Sequence, residues 1–326
     1  MTLFLTDDDV RAAFAWPEAI AALRAAYAAP MSDAMFPPRT MARGDGLWLR
    51  TLSGVLADSG LMGGKMIAAS MRNRRASYLI PLFDQETVEL VALLDGNSVT
   101  GFRTAATSAL AVDVLAPAGP LTVGVIGSGF EAQHHVRALA AVREISSVTV
   151  FSPNPASRAR FVDRLADLGL EMTVAESAPA AVAGADLVIC AARSRDESPT
   201  LHGAWLEPGM TVVSIGSTLP EQRELDTAAI ARAARIVADQ VDEVVHETGD
   251  MIEAGRAGIT CDGTIASLAD VVGGRAPGRP SPDAIVIYKS VGAAVQDLAV
   301  AAMCVRRATE SSAGTVLPVS ITPALK

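Results

Sequence analysis

A glycine turn between an apolar run and an alanine-rich segment constrains the fold of this chain most. The run LTVGVI at 121–126 ends at Gly127, and helix-forming residues follow Gly129. Glycines punctuate many turns, so such a turn alone is a weak signal. Here it follows a buried-strand pattern, opens a helix and precedes another strand, which is the context that a dinucleotide fingerprint requires. The segment therefore predicts a strand–turn–helix unit that binds a dinucleotide.

Short apolar runs recur through the following part of the chain, and helical segments separate them. The runs are VGVI at 123–126, VTVF at 148–151, LVIC at 187–190, TVVSI at 211–215, IVA at 236–238 and AIVIYKS at 284–290. Strands that alternate with helices are typical of a parallel sheet with helices on both faces. The fold class predicted for this region is α/β, with a doubly wound Rossmann-type sheet.

The segments on either side follow other patterns. Helices are expected from Thr6, which has N-cap character, and from Pro17. Between Met35 and about Leu94 the chain is rich in glycine, arginine and β-forming residues, which predicts several short, mostly antiparallel strands. A last long helix is expected to begin near Val291, where apolar residues recur at helical spacing.

Charge and cysteine usage exclude several kinds of partner. The 326-residue chain has a formal net charge of -9, whereas nucleic-acid surfaces need clustered Lys and Arg. Cys190, Cys261 and Cys304 match no metal-ligand spacing, so we expect no metal site. The N-terminal MTLFLTDDD does not resemble a signal peptide, and the least charged segment, 105–130, contains prolines and an aspartate. We expect a cytoplasmic protein with no nucleic-acid and no membrane partner.

The fingerprint assigns specific roles to its residues. Gly127 makes the tight turn, Gly129 lets the backbone approach a pyrophosphate, and Ala132 permits close packing of helix on strand. The helix N-terminus offers unpaired N–H groups and a positive dipole end to the phosphates. Further candidates for cofactor contact are Ser128, Phe130, Glu131, Ala191, Ser217, Thr218, Lys289 and Ser290.

The end of the second strand of the unit indicates which dinucleotide binds. An NAD-preferring site usually has Asp or Glu there, which accepts a hydrogen bond from the ribose 2′-hydroxyl. This chain has Ser152, Asn154, Ser157 and Arg158 instead, which would meet a 2′-phosphate without repulsion. The sequence therefore favours NADP(H), with NAD(H) as the alternative. In a second interpretation, Arg158 is a solvated helix residue.

Several motifs together resemble the ornithine cyclodeaminase/mu-crystallin family. They are PPRTM at 37–41, GGKMI at 63–67, LLDGNSVTGFRTAATSALA at 93–111, GVIGSGFEAQHH at 124–135, LHGAWLEPGMTVVSIGS at 201–217, RELD at 223–226 and YKSVGAAVQDLAVA at 288–301. The resemblance implies a homodimer. It also implies that an NAD(P)-binding Rossmann domain, residues 119–290, is inserted into an α+β substrate-binding and dimerisation domain of residues 1–118, completed by 291–326.

The resemblance also implies roles for four side chains. Arg39 and Arg103 would bind the substrate carboxylate, Lys65 would lie beside the reacting carbon, and Thr104 would contact cofactor phosphate. The chemistry agrees, because Arg binds carboxylates through paired hydrogen bonds. A Lys enclosed by apolar walls can have a lowered pKa and act as an acid or stabilise developing charge.

Two departures from the family pattern bear on the reaction. Cyclodeaminases carry an aspartate where this chain has Thr218, and Thr cannot serve as a carboxylate base. They carry an acidic residue facing the substrate's distal amine where a gapped alignment places Arg50, a cation that would favour a neutral or acidic substrate side chain. In another interpretation, Arg50 is an exposed strand residue.

We therefore expect an NAD(P)H-dependent reductase of a cyclic ketimine or α-imino acid, or the reverse amino-acid dehydrogenase. One alternative is a cyclodeaminase that eliminates ammonia with bound NAD, and Thr218 is the feature against it. The other alternative is a crystallin-like protein that binds NADP without catalysis, which the joint presence of Arg39, Lys65 and Arg103 disfavours.

Overall fold

The computed structural model describes residues 1–194 and 196–325 and divides the chain into two units. The first unit comprises residues 1–107 and 293–326, and the second comprises residues 108–292. The sequence predicted the first boundary after residue 118. It lies earlier because the last turns of one helix pack within the second unit, where Ser108 bonds His135.

The elements are numbered here in chain order. The strands are Leu3–Leu5 (β1), Thr40–Gly44 (β2), Leu47–Val55 (β3), Leu61–Ser70 (β4), Arg75–Asp84 (β5), Leu90–Asp95 (β6), Leu121–Ile126 (β7), Ile145–Phe151 (β8), Met172–Val174 (β9), Leu187–Cys190 (β10), Thr211–Ser214 (β11), Arg235–Ala238 (β12), Ile265–Ser267 (β13), Val286–Lys289 (β14) and Thr315–Val316 (β15). The helices are Asp7–Ala13 (α1), Trp16–Ala28 (α2), Asn97–Leu115 (α3), Phe130–Ala140 (α4), Pro155–Leu165 (α5), Ala178–Val182 (α6), Thr227–Arg232 (α7), Val241–Glu247 (α8), Gly249–Arg256 (α9), Leu268–Val272 (α10) and Ala294–Glu310 (α11).

The first unit is built on a seven-stranded sheet of order β15-β1-β6-β5-β4-β3-β2. Strands β2 to β6 form an antiparallel meander, whereas β1 lies parallel to β6. The mostly antiparallel strands expected between Met35 and Leu94 are thereby confirmed. Thr6 caps α1 in a reciprocal capping box with Asp9, as its N-cap character predicted.

Glycines let helix α11 approach one face of this sheet. Gly54 of β3 pairs with Gly63 of β4. A Cβ atom built on either glycine would lie 3.2–3.3 Å from the Leu298 side chain of α11. Bulkier residues would force the helix away from the sheet, because packed interiors leave no room for added atoms. The two glycines therefore hold α11 close to the strand that carries Lys65.

The second unit contains an eight-stranded sheet of order β13-β12-β14-β11-β10-β7-β8-β9, and every pairing is parallel. This confirms the predicted Rossmann-type α/β fold. From β7 the chain adds strands first on one side and then on the other, so the strand order reverses between β7 and β10. Ligands of such sheets bind outside the carboxyl ends of the strands at this switch point.

The structure differs from the prediction in a few elements of this region. The sequence did not predict β9 and β13, which are short strands at the two edges of the sheet and lack a clear apolar run. Helix α11 begins at Ala294 and not near Val291. The reason is that the Asp239 carboxylate accepts hydrogen bonds from the N–H groups of Val291 and Gly292. Within residues 1–194 and 196–325, no helix is both long and apolar enough to cross a membrane.

Candidate active site

The first unit buries an ion pair between a strand and a helix. Lys65 lies on β4 and its ammonium nitrogen Nζ is 2.7 Å from Oδ1 of Asp297 on α11. The exposed fractions of these side chains are 1% and 0%. Among the described residues Asp297 is the one hydrogen-bond acceptor of the Lys65 ammonium, which has three hydrogens to donate. The group therefore retains donors for a ligand.

A third charged group shares the same carboxylate. The Nε atom of Arg103, on α3, lies 3.0 Å from Oδ1 of Asp297, and its Nη1 atom donates to Oε1 of Gln296. Gln296 in turn donates to the Tyr27 hydroxyl at 2.8 Å, so the amide is held in one orientation. In the described part of the chain no acceptor bonds Nη2 of Arg103. The guanidinium is thus held through Nε and Nη1 and keeps the donors of Nη2.

The electrostatics of this cluster set the charge of Lys65. Its pKa is about 8, below the usual value for lysine, first because burial removes water from the ammonium and second because the Arg103 guanidinium repels it. Asp297 acts in the opposite direction but does not offset both effects. A lysine with such a pKa is mostly protonated at neutral pH and gives up its proton readily, as an acid–base catalyst must.

Two further predicted residues lie toward the same face of the sheet. Leu52 is paired with Lys65 and Arg50 with Ile67, so these four side chains point to one face. Arg50 acts on Lys65 electrostatically and lowers its pKa, and its guanidinium lies over the Trp48 ring at 5.3 Å. The half-buried Arg39 directly precedes β2, whose first pair is Thr40 with Thr51. Continuing that alternation by one residue places Arg39 on the face of Lys65.

The fingerprint turn in the second unit has the form that a dinucleotide needs. Gly127 has a φ of +107°, and a Cβ atom there would lie 2.6 Å from the carbonyl oxygen of Ala191. A Cβ on Gly129 would meet open space, and this N-cap residue of α4 makes no side-chain cap. Ala132 is fully buried against the sheet. The first N–H groups of α4 are therefore accessible to a phosphate, as helix N-termini at such sites are.

The end of β8 carries hydroxyl and amide groups. The Ser128 hydroxyl donates to that of Ser152 at 2.9 Å, which joins the glycine turn to β8. Asn154 caps α5 by accepting from the N–H of Ala156. Phe130 and Glu131 form the first turn of α4, and the Phe130 side chain is exposed.

Arg158 is committed to the interior. Its guanidinium donates to the carbonyl oxygen of Ala175, lies 3.5 Å from the carboxylate of Glu176 and packs over the Phe151 ring. The residue is buried, so the interpretation of a solvated helix residue is wrong. A contact with a 2′-phosphate would compete with these partners. Glu176 could not be expected from the sequence, because it follows the short strand β9, which has no clear apolar run.

The segments after β10 and β11 bring further predicted residues to the carboxyl edge of the sheet. Ala191 follows β10, and Ser217 and Thr218 follow β11. The hydroxyls of Ser217 and Thr218 both donate to Gln222, to its main-chain and side-chain oxygens respectively. In the first unit, the Thr104 hydroxyl donates to the carbonyl oxygen of Thr100 in the same helix.

The side chains of Lys289 and Ser290, which the sequence predicts to contact the cofactor, have hydrogen-bond partners inside the second unit. Nζ of Lys289 is fully buried within 3.3 Å of Asp250, Ser214 and the Ser217 carbonyl oxygen, so each of its hydrogens has a partner. The Ser290 hydroxyl donates to Asp239 at 2.6 Å. Lys289 ends β14 and Ser290 follows it, and the sequence could not show that the carboxylates of Asp250 on α9 and of Asp239 just after β12 would reach them.

The comparisons with known proteins agree with this geometry. A model of the ornithine cyclodeaminase/mu-crystallin family matches residues 3–312. The chain belongs to this family. The resemblance of its motifs is thus confirmed over nearly the whole chain.

Individual relatives extend the comparison. Delta(1)-pyrroline-2-carboxylate reductase of Paracoccus denitrificans (strain Pd 1222) is 30% identical over 308 residues, which are 93% of this chain and 96% of that protein. Iminosuccinate reductase of the same strain is 34% identical over 220 residues, 68% of this chain and 67% of that protein. The structure of Thermococcus litoralis Delta(1)-pyrroline-2-carboxylate reductase with NADH and L-proline has a TM-score of 0.88 at 28% identity. The structural match covers 97% of this chain and 100% of the Thermococcus litoralis chain.

Sequence reasoning missed several residues of this family member's site. It assigned no role to Asp297 and did not single out Gln296 or Tyr27. Asp297 and Gln296 are polar residues within an otherwise apolar stretch of α11, and that is the signal that could have marked them. The ring of His135, on α4, is buried and bonded to Ser108 and to the Glu131 carbonyl, and burial lowers its pKa to about 4.

Proposed function

We propose that this protein is an NAD(P)H-dependent reductase of α-imino acids, cyclic ketimines included, that also catalyses the reverse oxidation of the amino acid. The observation that carries the proposal is the buried Lys65 ammonium, paired with Asp297 and flanked by Arg103. A buried ammonium beside arginines that can bind a carboxylate suits a substrate in which the imine carbon carries a carboxylate. The named reductases among its relatives support the same reaction.

The second unit would hold the cofactor. The open N-terminus of α4 and the turn at Gly127 suit the pyrophosphate, and the hydroxyls and amide at the end of β8 suit the adenosine ribose. When bound, a nicotinamide supplies the hydride that the imine carbon receives, or takes it in the reverse reaction.

The arginines would bind and orient the substrate carboxylate. The Nη2 edge of Arg103 retains its donors, and Asp297 and Gln296 fix the plane of the guanidinium. An arginine whose orientation is set before binding loses little side-chain entropy when it grips a carboxylate. Arg39 would contribute the second guanidinium from the segment before β2.

Lys65 would exchange a proton with the substrate nitrogen. As the imine carbon is reduced, the nitrogen gains electron density and takes up a proton, which Nζ of Lys65 can donate. In the reverse direction the neutral amine of Lys65 would accept that proton. The pKa of about 8 places the group close to a neutral working pH, where general acid–base catalysis is most efficient.

The charges around Lys65 indicate which substrate side chains are accepted. Arg39, Arg50, Arg103 and Lys65 are cations, and the Asp297 carboxylate lies against two of them, Lys65 and Arg103. A positive site attracts a second carboxylate and repels a distal ammonium. We therefore propose neutral or acidic α-imino acids as substrates. Thr218, which bonds Gln222 and carries no charge, gives no support to deamination of a basic amino acid.

The choice between the two dinucleotides is also part of the proposal. No carboxylate follows Phe151 directly, and Ser152, Asn154 and Ser157 offer neutral donors. The inward position of Arg158 and the nearby Glu176 reduce the positive charge available to a 2′-phosphate. We propose that both cofactors bind, NADP(H) at least as tightly as NAD(H). Fluorescence titration with each reduced cofactor tests this, and a clear preference for NADH would refute it.

A homodimer completes the proposal. Leu47, Leu49, Met66 and Leu79 lie on the sheet face opposite Lys65, and all are exposed. One face of an antiparallel sheet is normally polar when it meets water, so an apolar second face indicates a partner surface. We propose that a second copy covers it. Light scattering should report a dimer, and Leu49→Glu should give a monomer. A monomeric wild-type protein would refute this assignment.

The activity itself is tested by the rate of NADPH consumption over a panel of imino acids. The panel should vary ring size and include open-chain members with neutral, acidic and basic side chains. We expect consumption with neutral or acidic members. Release of ammonia from a basic amino acid without net change in cofactor would support the cyclodeaminase instead. Tight cofactor binding with no turnover would support the binding protein.

A further inference from the structure

A buried carboxylate joins two chain segments at the carboxyl edge of the parallel sheet. Oε1 of Glu224 accepts from the N–H of Ala192, just after β10, at 3.3 Å. Its Oε2 accepts from the N–H of Gly216, just after β11, at 2.9 Å, and from the Ser214 hydroxyl at 2.6 Å. Glu224 itself has no exposed surface. One side chain therefore fixes the start of both segments.

A second carboxylate holds Glu224 in place. Oδ1 of Asp250, on α9, accepts from the N–H groups of Glu224 and Leu225 at 2.8 and 3.1 Å. Its Oδ2 lies 2.8 Å from Nζ of Lys289, which also donates to Ser214. The arrangement links β11, β14 and α9 through buried charges. Such a network fixes the positions of its members, because a buried polar group that loses its partner costs free energy.

The space around the carboxylate is also filled. A Cβ atom on Gly216 would lie 2.5 Å from Oε1 of Glu224, so any larger residue there would displace the carboxylate. The buried thiol of Cys190 also lies near Glu224, and its pKa is raised well above its usual value by burial and by Glu224. The charged and titratable groups that face Glu224 are thus Lys289, Asp250 and Cys190.

We propose that Glu224 is a positioning residue for the cofactor, whose ionised carboxylate sets the segments that begin at Ala191 and Gly216 for binding. The inference rests on the proposed function, because it assumes that the dinucleotide binds along this edge of the sheet. Glu224 is buried and holds main-chain N–H groups, so it acts through the segments and does not touch the cofactor.

The proposal makes cofactor affinity depend on pH. Burial raises the pKa of Glu224 to about 7, while Lys289 and the hydrogen bonds from Ser214 and Gly216 oppose the rise. Above this pH both oxygens accept hydrogen bonds. Below it one oxygen carries a proton and competes with an N–H donor, so the segments loosen. Affinity should therefore fall as the pH decreases through about 7.

Titration of NADPH and NADH fluorescence from pH 5.5 to about 8.5 tests the proposal without any substrate. We expect Glu224→Gln to bind about ten- to a hundredfold more weakly above pH 7, since it loses a charged hydrogen-bond acceptor. The variant should also lose the pH dependence. Ser214→Ala removes one donor to the carboxylate, so the midpoint of the pH dependence should move to higher pH.

Asp186→Asn is the matched control. Asp186 accepts from the N–H of Thr122 at 2.9 Å, at the opposite, amino edge of the same sheet. This variant should lower the melting temperature and leave cofactor affinity and its pH dependence unchanged. If Glu224→Gln does not fold, the midpoint shift in Ser214→Ala decides the matter.

The outcomes separate the two proposals. A wild-type protein that binds neither cofactor overturns the proposed function. A wild-type protein that binds cofactor without pH dependence overturns the role of Glu224 alone. The same holds for folded Glu224→Gln with unchanged affinity, or for folded Ser214→Ala with an unmoved midpoint.

Discussion

Removing the charge of Asp297 should move the pH dependence of the reaction. In the wild-type protein, reduction should slow as the pH rises through about 8, because Lys65 then loses the proton that it donates. Asp297 is the partner that keeps this ammonium charged despite its burial. An opposite charge at such a distance shifts a pKa by about 1–3 units. In Asp297→Asn the alkaline limb should therefore lie lower by about that amount.

The same substitution has a cost in stability. Leaving one member of a buried ion pair without its partner typically costs about 3–5 kcal/mol. Here the remaining cations are Lys65 and Arg103, which then repel each other without an anion between them. Thermal unfolding should show a clear decrease in melting temperature. Loss of the Lys65 proton relieves this repulsion at the lowest cost in free energy, and the pH profile detects that loss.

The assay is kcat/KM for imine reduction between pH 5.5 and about 9.5, measured for the wild type, Asp297→Asn, Lys65→Met and the double variant. Lys65→Met should show no alkaline limb from this group, and adding Asp297→Asn should not create one. An alkaline limb at the same pH in wild type and folded Asp297→Asn would refute the pairing of these residues in function. So would an unchanged limb in Lys65→Met.

Three other substitutions test separate parts of the account. Lys65→Met should fold and bind NADPH while kcat falls by at least about a hundredfold, and an unchanged single-turnover rate would remove Lys65 from the mechanism. Arg103→Ala should lower kcat/KM by an amount equivalent to about 2–3 kcal/mol, with NADPH affinity nearly unchanged. Full activity in steady-state assays would show that the substrate carboxylate binds elsewhere. Gly127→Ala should abolish cofactor binding as measured by NADPH fluorescence. Gly127 has a φ of +107°, and a Cβ atom there would lie 2.6 Å from the Ala191 carbonyl oxygen. Retained tight binding by Gly127→Ala would show that the turn is not the phosphate site.

The fold was largely predictable from the sequence because its signals are local. Apolar runs marked the central strands β7, β8, β10, β11, β12 and β14, and Thr6 was recognisable as a helix cap. The edge strands β9 and β13 were not predicted, since each has three residues, none of them buried, and so shows no periodic pattern. In a long helix or strand, the spacing of apolar residues indicates which of them are buried. A strand of three residues is too short to show such a spacing.

The site was predictable only in part, because its contacts connect distant parts of the chain. Lys65 and Arg103 were expected from the family resemblance, but the carboxylate that pairs with Lys65 lies 232 residues further on. Lys289 illustrates the converse. It matched a family motif, yet Asp250 and Ser214 hold its ammonium inside the second unit. Which polar groups meet is decided by tertiary packing, and no local pattern records it.

Transfer of a labelled hydride tests the central claim most directly. The protein is mixed in a single turnover with NADPH that is dideuterated at C4 of the nicotinamide and with an α-imino acid from the consumption panel. Mass spectrometry of the product should find one deuterium at Cα of the amino acid, matched by loss of nicotinamide absorbance. An amino acid without deuterium, or a cofactor that keeps both deuterons while it stays bound, would contradict the assignment as an imino-acid reductase.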